Sequence, residues 1–114
     1  MVRMFRVALI PCAFVLGGLS AAAPARAAGD PAAGKEKAGM CRICHGIDGV
    51  ARNPEAPNIG GEHFVYLQNQ LRNFRSGKRT HAVMSVIAAG LSDEDIDDLS
   101  AWYSSIAFSV TVPE

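Results

Sequence analysis

The chain has 114 residues, 49% of them hydrophobic, with eleven Lys and Arg balanced by eleven Asp and Glu. The neutral total hides an asymmetry. Residues 1–27 hold three arginines and no acid, so the remaining 87 residues carry eight basic and eleven acidic side chains, a net charge of −3. Such a domain is small enough for one thin core, and its acidity argues against nucleic acid as a partner, because that affinity comes from Lys and Arg.

The first element reads as a processing segment. Arg3 and Arg6 make a basic start, an apolar stretch interrupted by Pro11 covers 7–19, and Ala25-Arg26-Ala27 offers a small-residue cleavage site. The stretch is short for a membrane span of about 20 residues. We therefore expect 1–27 to be a cleaved signal peptide, 28–114 to form a single domain, and the mature protein to be periplasmic. The alternatives are an uncleaved anchor, or a lipoprotein through Cys12, which lies too early in the apolar run. A domain of 87 residues also needs a staple beyond its own side chains.

Asp30-Pro31 has the pattern of an N-cap followed by proline at the first helical position, opening a helix to about Cys41. That helix delivers the chain into Cys41-Arg42-Ile43-Cys44-His45. C-x-x-C-H is the attachment signature of c-type haem. The two thiols add across the two vinyl groups of the porphyrin, and the spacer sets their separation. His45 then lies beneath the ring, where it can ligate the iron. One covalent haem c is expected, and its attachment in bacteria follows export, in agreement with the leader. A structural zinc site usually needs four protein ligands, and beyond residue 27 there are two cysteines and three histidines with no second close pair. A thioredoxin-like dithiol would want a βαβ context, and no β-rich pattern follows.

Residues 46–61 have no periodicity and are marked by Gly46, Gly49, Pro54, Pro57, Gly60 and Gly61. A loop this long is unusual in a small domain unless it is functional, and wrapping one haem edge would explain it. Residues 62–76 repeat at helical spacing through Phe64, Leu67, Leu71 and Phe74, with Gly77 as the stop. Residues 78–90 read as a second loop with a short helix over 83–88. Ser92 and Asp95 have capping-box spacing, and Asp93, Glu94 and Asp95 suit the positive end of a helix dipole. Ile96, Leu99, Tyr103 and Ile106 form the stripe of that last helix, with Trp102 beside it. The tail from Phe108 carries no signal. Two charge clusters, Arg72, Arg75, Lys78 and Arg79 against Asp93, Glu94, Asp95, Asp97 and Asp98, read as solvated helix surface and capping. The sharper alternative is a patch that steers a redox partner.

The chain resembles the class I cytochromes c, and within them one half of the di-haem, two-domain periplasmic cytochromes. The carriers are the haem motif at 41–45, Pro57-Asn58-Ile59-Gly60-Gly61, Tyr66-Leu67 with Gln70-Leu71, Phe74 with Gly77-Lys78-Arg79, Met84, and Leu91 to Ile96 leading to Ala101-Trp102-Tyr103. The resemblance implies an all-α fold of three to five short helices around one haem. Its N- and C-terminal helices cross through a small residue and an aromatic, for which Gly34 and Tyr103 are candidates. It also implies a distal iron ligand at Met84, between loop glycines after the middle helix. Met40 adjoins Cys41 on the proximal side, and Met84 is the only other methionine beyond residue 27. A core role for Met84, with His81 or His63 as ligand instead, stays open. The resemblance further gives the Pro57 carbonyl as acceptor for the other ring nitrogen of His45, a contact that orients the ring.

Closed His/Met coordination leaves no open position on the iron and raises the potential. The expected function is one-electron transfer, with no catalytic residues. Partners would be a donor dehydrogenase or cytochrome complex and an acceptor oxidase or reductase. Two alternatives remain at this point. The chain could be the haem subunit of a dehydrogenase or reductase complex, or a haem enzyme or sensor with a labile methionine.

Overall fold

The computed structural model describes residues 29–114, and the expected signal peptide lies outside the described residues. Within them the chain forms five helices: α1 (Pro31–Lys37), α2 (Cys41–His45), α3 (Phe64–Ser76), α4 (Met84–Ala89) and α5 (Asp93–Ser104). No strand occurs among the described residues, so the all-α expectation is met.

Local chemistry sets the helix ends. The Asp30 carboxylate accepts from the Ala32 N–H at 2.8 Å, and Pro31 opens α1. α1 stops at Lys37, short of the expected Cys41, and the haem motif forms its own short helix after a turn. α3 starts at Phe64 because His63 is extended, with ψ 133°. Gly77 ends it at φ +80°, a left-handed conformation that favours glycine. Ser92 and Asp95 form the reciprocal box that opens α5, each side chain meeting the other's N–H at 3.0 Å. The shorter Asp does here what Glu usually does.

α1 crosses α5 at Gly34. A Cβ there would run into the Asp98 carbonyl oxygen and stand 2.9 Å from the Trp102 Cβ. The aromatic partner of Gly34 is thus Trp102, not Tyr103 as expected. Residues 98 and 102 are one helical turn apart and share the face toward α1, whereas 99 and 103 share the next face round. Tyr103 instead joins Ala38, Leu67 and Leu99 in the buried core, with Leu71 and Ile106 packed beside them. A fully buried large apolar side chain such as Leu99 contributes about 1.5–3 kcal/mol.

The two charge clusters meet each other. Asp97 accepts from Gln68 at 2.6 Å and Arg72 at 3.1 Å, and Arg75 pairs with Asp93 at 2.6 Å, so α3 is tied to α5. On the other flank, Asp98 accepts from the Asp30 N–H and from Lys37, both at 2.7 Å, and Lys37 also meets Asp95 at 3.0 Å. Asp97 and Asp98 are 6% and 5% exposed. They are therefore buried seam residues rather than solvated surface. Adjacent positions on a helix point about 100° apart, so 97 reaches α3 while 98 reaches α1.

Candidate functional site

The backbone of α2 approaches none of the other four helices. A cavity of ≈ 390 Å³ opens instead, bounded by α2, by the loop after it and by side chains of α3, α4 and α5. Cys41, Cys44, His45, Pro57 and Met84 all line it. The rest of its surface is mainly apolar, with Leu67, Leu71, Phe74, Ile87, Leu99 and Tyr103. Five residues singled out in the sequence therefore share one cavity, although 43 positions separate the first from the last.

His45 is buried, and its Nδ1 stands 2.8 Å from the Pro57 carbonyl oxygen. A carbonyl only accepts, so Nδ1 donates, and in the neutral ring the lone pair is on Nε2. That is the tautomer a metal needs. Burial pushes the Cys41 thiol up from its ordinary value, which keeps the sulfur protonated at neutral pH. Both cysteines are unpaired thiols.

The loop over 46–61 is tightly organised. Gly46, at φ +72°, turns the chain out of α2. The Arg52 and Asn53 N–H groups return to the Cys44 carbonyl at 2.7 and 3.2 Å. The Ile59 and Gly60 N–H groups both donate to the Gly49 carbonyl, and Ala51 N–H donates to the Asn58 side chain at 2.7 Å. α5 closes the loop from outside. The Tyr103 hydroxyl donates to the Gly46 carbonyl and the Trp102 indole to the Ile47 carbonyl, each at 3.0 Å, while the Gly61 N–H donates to the Tyr103 carbonyl at 2.8 Å. Burial raises the Tyr103 phenol well above its ordinary value, so it remains a donor across the working pH range.

Met84 is partly buried at the first position of α4. The start of that helix is organised by His81, whose Nδ1 accepts from the Val83 and Met84 N–H groups at 3.3 Å. His81 lines the cavity as well, with that nitrogen engaged. His63 is exposed and does not line the cavity. Beside them Arg79 stacks 4.6 Å over Phe74 and donates to Gln70 at 2.6 Å.

The donor set suits a covalently held haem: two thiols one helical turn apart, an imidazole with its lone pair free, a thioether across an apolar space. A further observation agrees. The Ser100 hydroxyl is buried, finds no hydrogen-bond partner, and belongs to a residue of the cavity lining. A buried hydroxyl normally has a partner. Among the described residues, no group of three or more His, Cys, Asp or Glu is placed to hold a bare metal ion. Sequence reasoning missed Ser100, the His81 cap and the two α5 clamps. The signal for the clamps was present, because a buried Tyr or Trp must satisfy its polar end.

No family model matches the chain. Individual proteins do. Cytochrome c-554(548) of Halomonas halodenitrificans is 47% identical over 81 residues, which are 68% of this chain and 98% of that protein. Cytochrome c4 of Pseudomonas aeruginosa is 42% identical over 86 residues, 75% of this chain but 43% of the relative. Among solved structures, reduced recombinant cytochrome c4 from Pseudomonas stutzeri superposes with a TM-score of 0.67 at 35% identity, covering 73% of this chain and 48% of the other. The chain thus spans somewhat under half of the cytochrome c4 relatives.

Proposed function

Because the chain belongs to the class I cytochromes c, electron carriers built around covalent haem c, we propose that Cys41 and Cys44 hold its haem, that His45 and Met84 ligate the iron, and that Pro57 fixes the His45 ring. The observation that carries this reading is the 2.8 Å contact from His45 Nδ1 to the Pro57 carbonyl, at the wall of a cavity that also holds both thiols and Met84. When bound, haem c supplies an iron that gains and loses one electron.

The chain's own residues do the rest. The α2 turn places the Cys41 and Cys44 thiols on the same cavity wall, where they would form the two thioether links to the haem. The α3, α4 and α5 side chains exclude water, which limits reorganisation when the charge changes. The Met84 thioether is a soft ligand and favours the reduced state. With His45 and Met84 both holding the iron, the haem would leave no open position for substrate, and the protein would act as a carrier rather than an enzyme. Residues 1–27 are a cleaved signal peptide, 28–114 form one domain, and the carrier works in the periplasm. Its donor is a dehydrogenase or cytochrome complex, and its acceptor is an oxidase or reductase. Among the described residues no helix is long and apolar enough to cross a membrane.

Carbon monoxide tests the reading. The reduced holoprotein should keep its low-spin spectrum under the gas while it exchanges electrons with small redox reagents. Rapid formation of a carbon monoxide adduct would instead indicate an open site and an enzyme or sensor.

A further inference from the structure

The loop of residues 46–61 brings the Pro57 carbonyl to His45, and a single residue of α5 touches both of its ends. The Tyr103 hydroxyl donates to the Gly46 carbonyl at 3.0 Å, next to His45 in the chain. The Tyr103 carbonyl accepts from the Gly61 N–H at 2.8 Å. Tyr103 is 3% exposed and lines the haem cavity, so water cannot readily replace either bond. Within the loop, Gly49 accepts from Ile59 and Gly60, which closes the segment that carries Pro57.

We propose that Tyr103 is a positioning residue for the iron: by holding both ends of this loop it sets the length and strength of the His45–Pro57 hydrogen bond, and through it the electron donation of the imidazole. The proposal rests on the reading of His45 as iron ligand. Its physical basis is that the partner of a ligating histidine's second nitrogen tunes ring orientation and basicity. A strong acceptor makes the ring a better donor and favours ferric iron. Tyr103 touches neither His45 nor Pro57 by hydrogen bond. Its effect is exerted through the backbone at Gly46 and Gly61.

The test uses holoprotein with Tyr103→Phe, which keeps the ring and removes only the hydroxyl. The readouts are the reduction potential and the solvent exchange of the His45 Nδ1 proton, followed by NMR in the ferrous state. Exchange should accelerate by about tenfold, the scale allowed by loss of one hydrogen bond, and the potential should rise. Ile96→Val trims a fully buried α5 residue outside the cavity lining and serves as a control for general loosening. A wild-type exchange rate and potential in Tyr103→Phe would overturn the proposal, as would an equal shift in Ile96→Val.

Should Tyr103→Phe mature poorly, ring-fluorinated tyrosine can be incorporated in a Tyr66→Phe background, leaving Tyr103 as the only tyrosine. The more acidic phenol is a stronger donor, so exchange should slow relative to unlabelled Tyr66→Phe. An unchanged rate counts against the clamp. Failure of the ligation reading is distinguishable. It would appear as wild-type protein whose His45 ring resonances lack the large shift of an iron ligand, and it would remove the clamp as well.

Discussion

The imidazole of His45 and the carbonyl of Pro57, twelve residues apart, meet at 2.8 Å. This one contact decides the tautomer of the ring, because the proton must sit on Nδ1 and the lone pair on Nε2. The helical turn of α2 supplies the histidine, and the loop folded onto Cys44 and Gly49 supplies its partner. The imidazole is therefore oriented by backbone structure alone.

The covalent link is the most direct prediction. Replacing both Cys41 and Cys44 by Ser should release all haem on acid–acetone extraction, whereas the unaltered protein should retain it through denaturing electrophoresis. The double variant should also fold poorly, because the backbone of α2 approaches no other helix and the cavity would lose its filling.

The distal assignment predicts a coordinated set of changes in Met84→Ala. The near-infrared band of sulfur-to-iron charge transfer should vanish, the reduction potential should fall with loss of the soft ligand, and the reduced form should now bind carbon monoxide. His63→Ala and His81→Ala should keep the band, although the latter should weaken the start of α4. Retention of the band in Met84→Ala, with loss of low-spin coordination in a histidine variant, would assign the ligand elsewhere.

Gly34→Ala probes the helix crossing. The added methyl has no room against the Asp98 carbonyl and the Trp102 Cβ, and overpacking of this kind costs about 1–3 kcal/mol. Gly39→Ala is the comparison, since nothing lies within 4 Å of its Cβ position, and its effect should stay within about 0.5 kcal/mol. Denaturant unfolding followed by far-ultraviolet circular dichroism measures both. Equal costs would contradict the crossing.

The seam of α1 and α5 should show in the pH dependence of stability. Lys37 and the Asp30 N–H hold the Asp98 carboxyl below the usual carboxylate range. A depressed acid stabilises the fold fully above its unfolded value, about 3.9, and loses that contribution as pH falls through its folded value. Lys37 is raised by Asp98 and Asp95. Its contribution is full below about 10.4 and fades only as pH rises through the raised value. Asp98→Asn should therefore have a lower Tm at neutral pH and a flatter decline on acidification below about pH 5. Parallel Tm curves for the two proteins would show that Asp98 contributes nothing through its charge.

Much of the site is local and so was open to sequence reading. The thiols and the histidine fall within five consecutive residues, and their chemistry depends on spacing along one helical turn. Helix ends follow from short-range groups, Asp30 with Pro31, Ser92 with Asp95, and Gly77. The contacts between helices were less accessible. Periodicity shows that 96, 99 and 103 are inward on α5, with 102 beside them, but not which neighbour each one meets. Assigning Tyr103 to Gly34 was thus one residue out of place. The charge clusters misled for a related reason. Two runs of opposite sign look like surface when read separately, and Arg72 meets Asp97 and Arg75 meets Asp93 only once α3 and α5 are side by side.

The sequence by itself determined the cofactor class, because the attachment motif rests on residue type and on separations of a few positions, and its resemblance to the class I cytochromes c implied the all-α architecture. The tertiary structure decided which of the candidate residues share a cavity, where α5 grips the loop, and which nitrogen of His45 holds its proton. Those are relations between segments far apart in the chain, set by how whole helix faces pack together, and no local pattern encodes them.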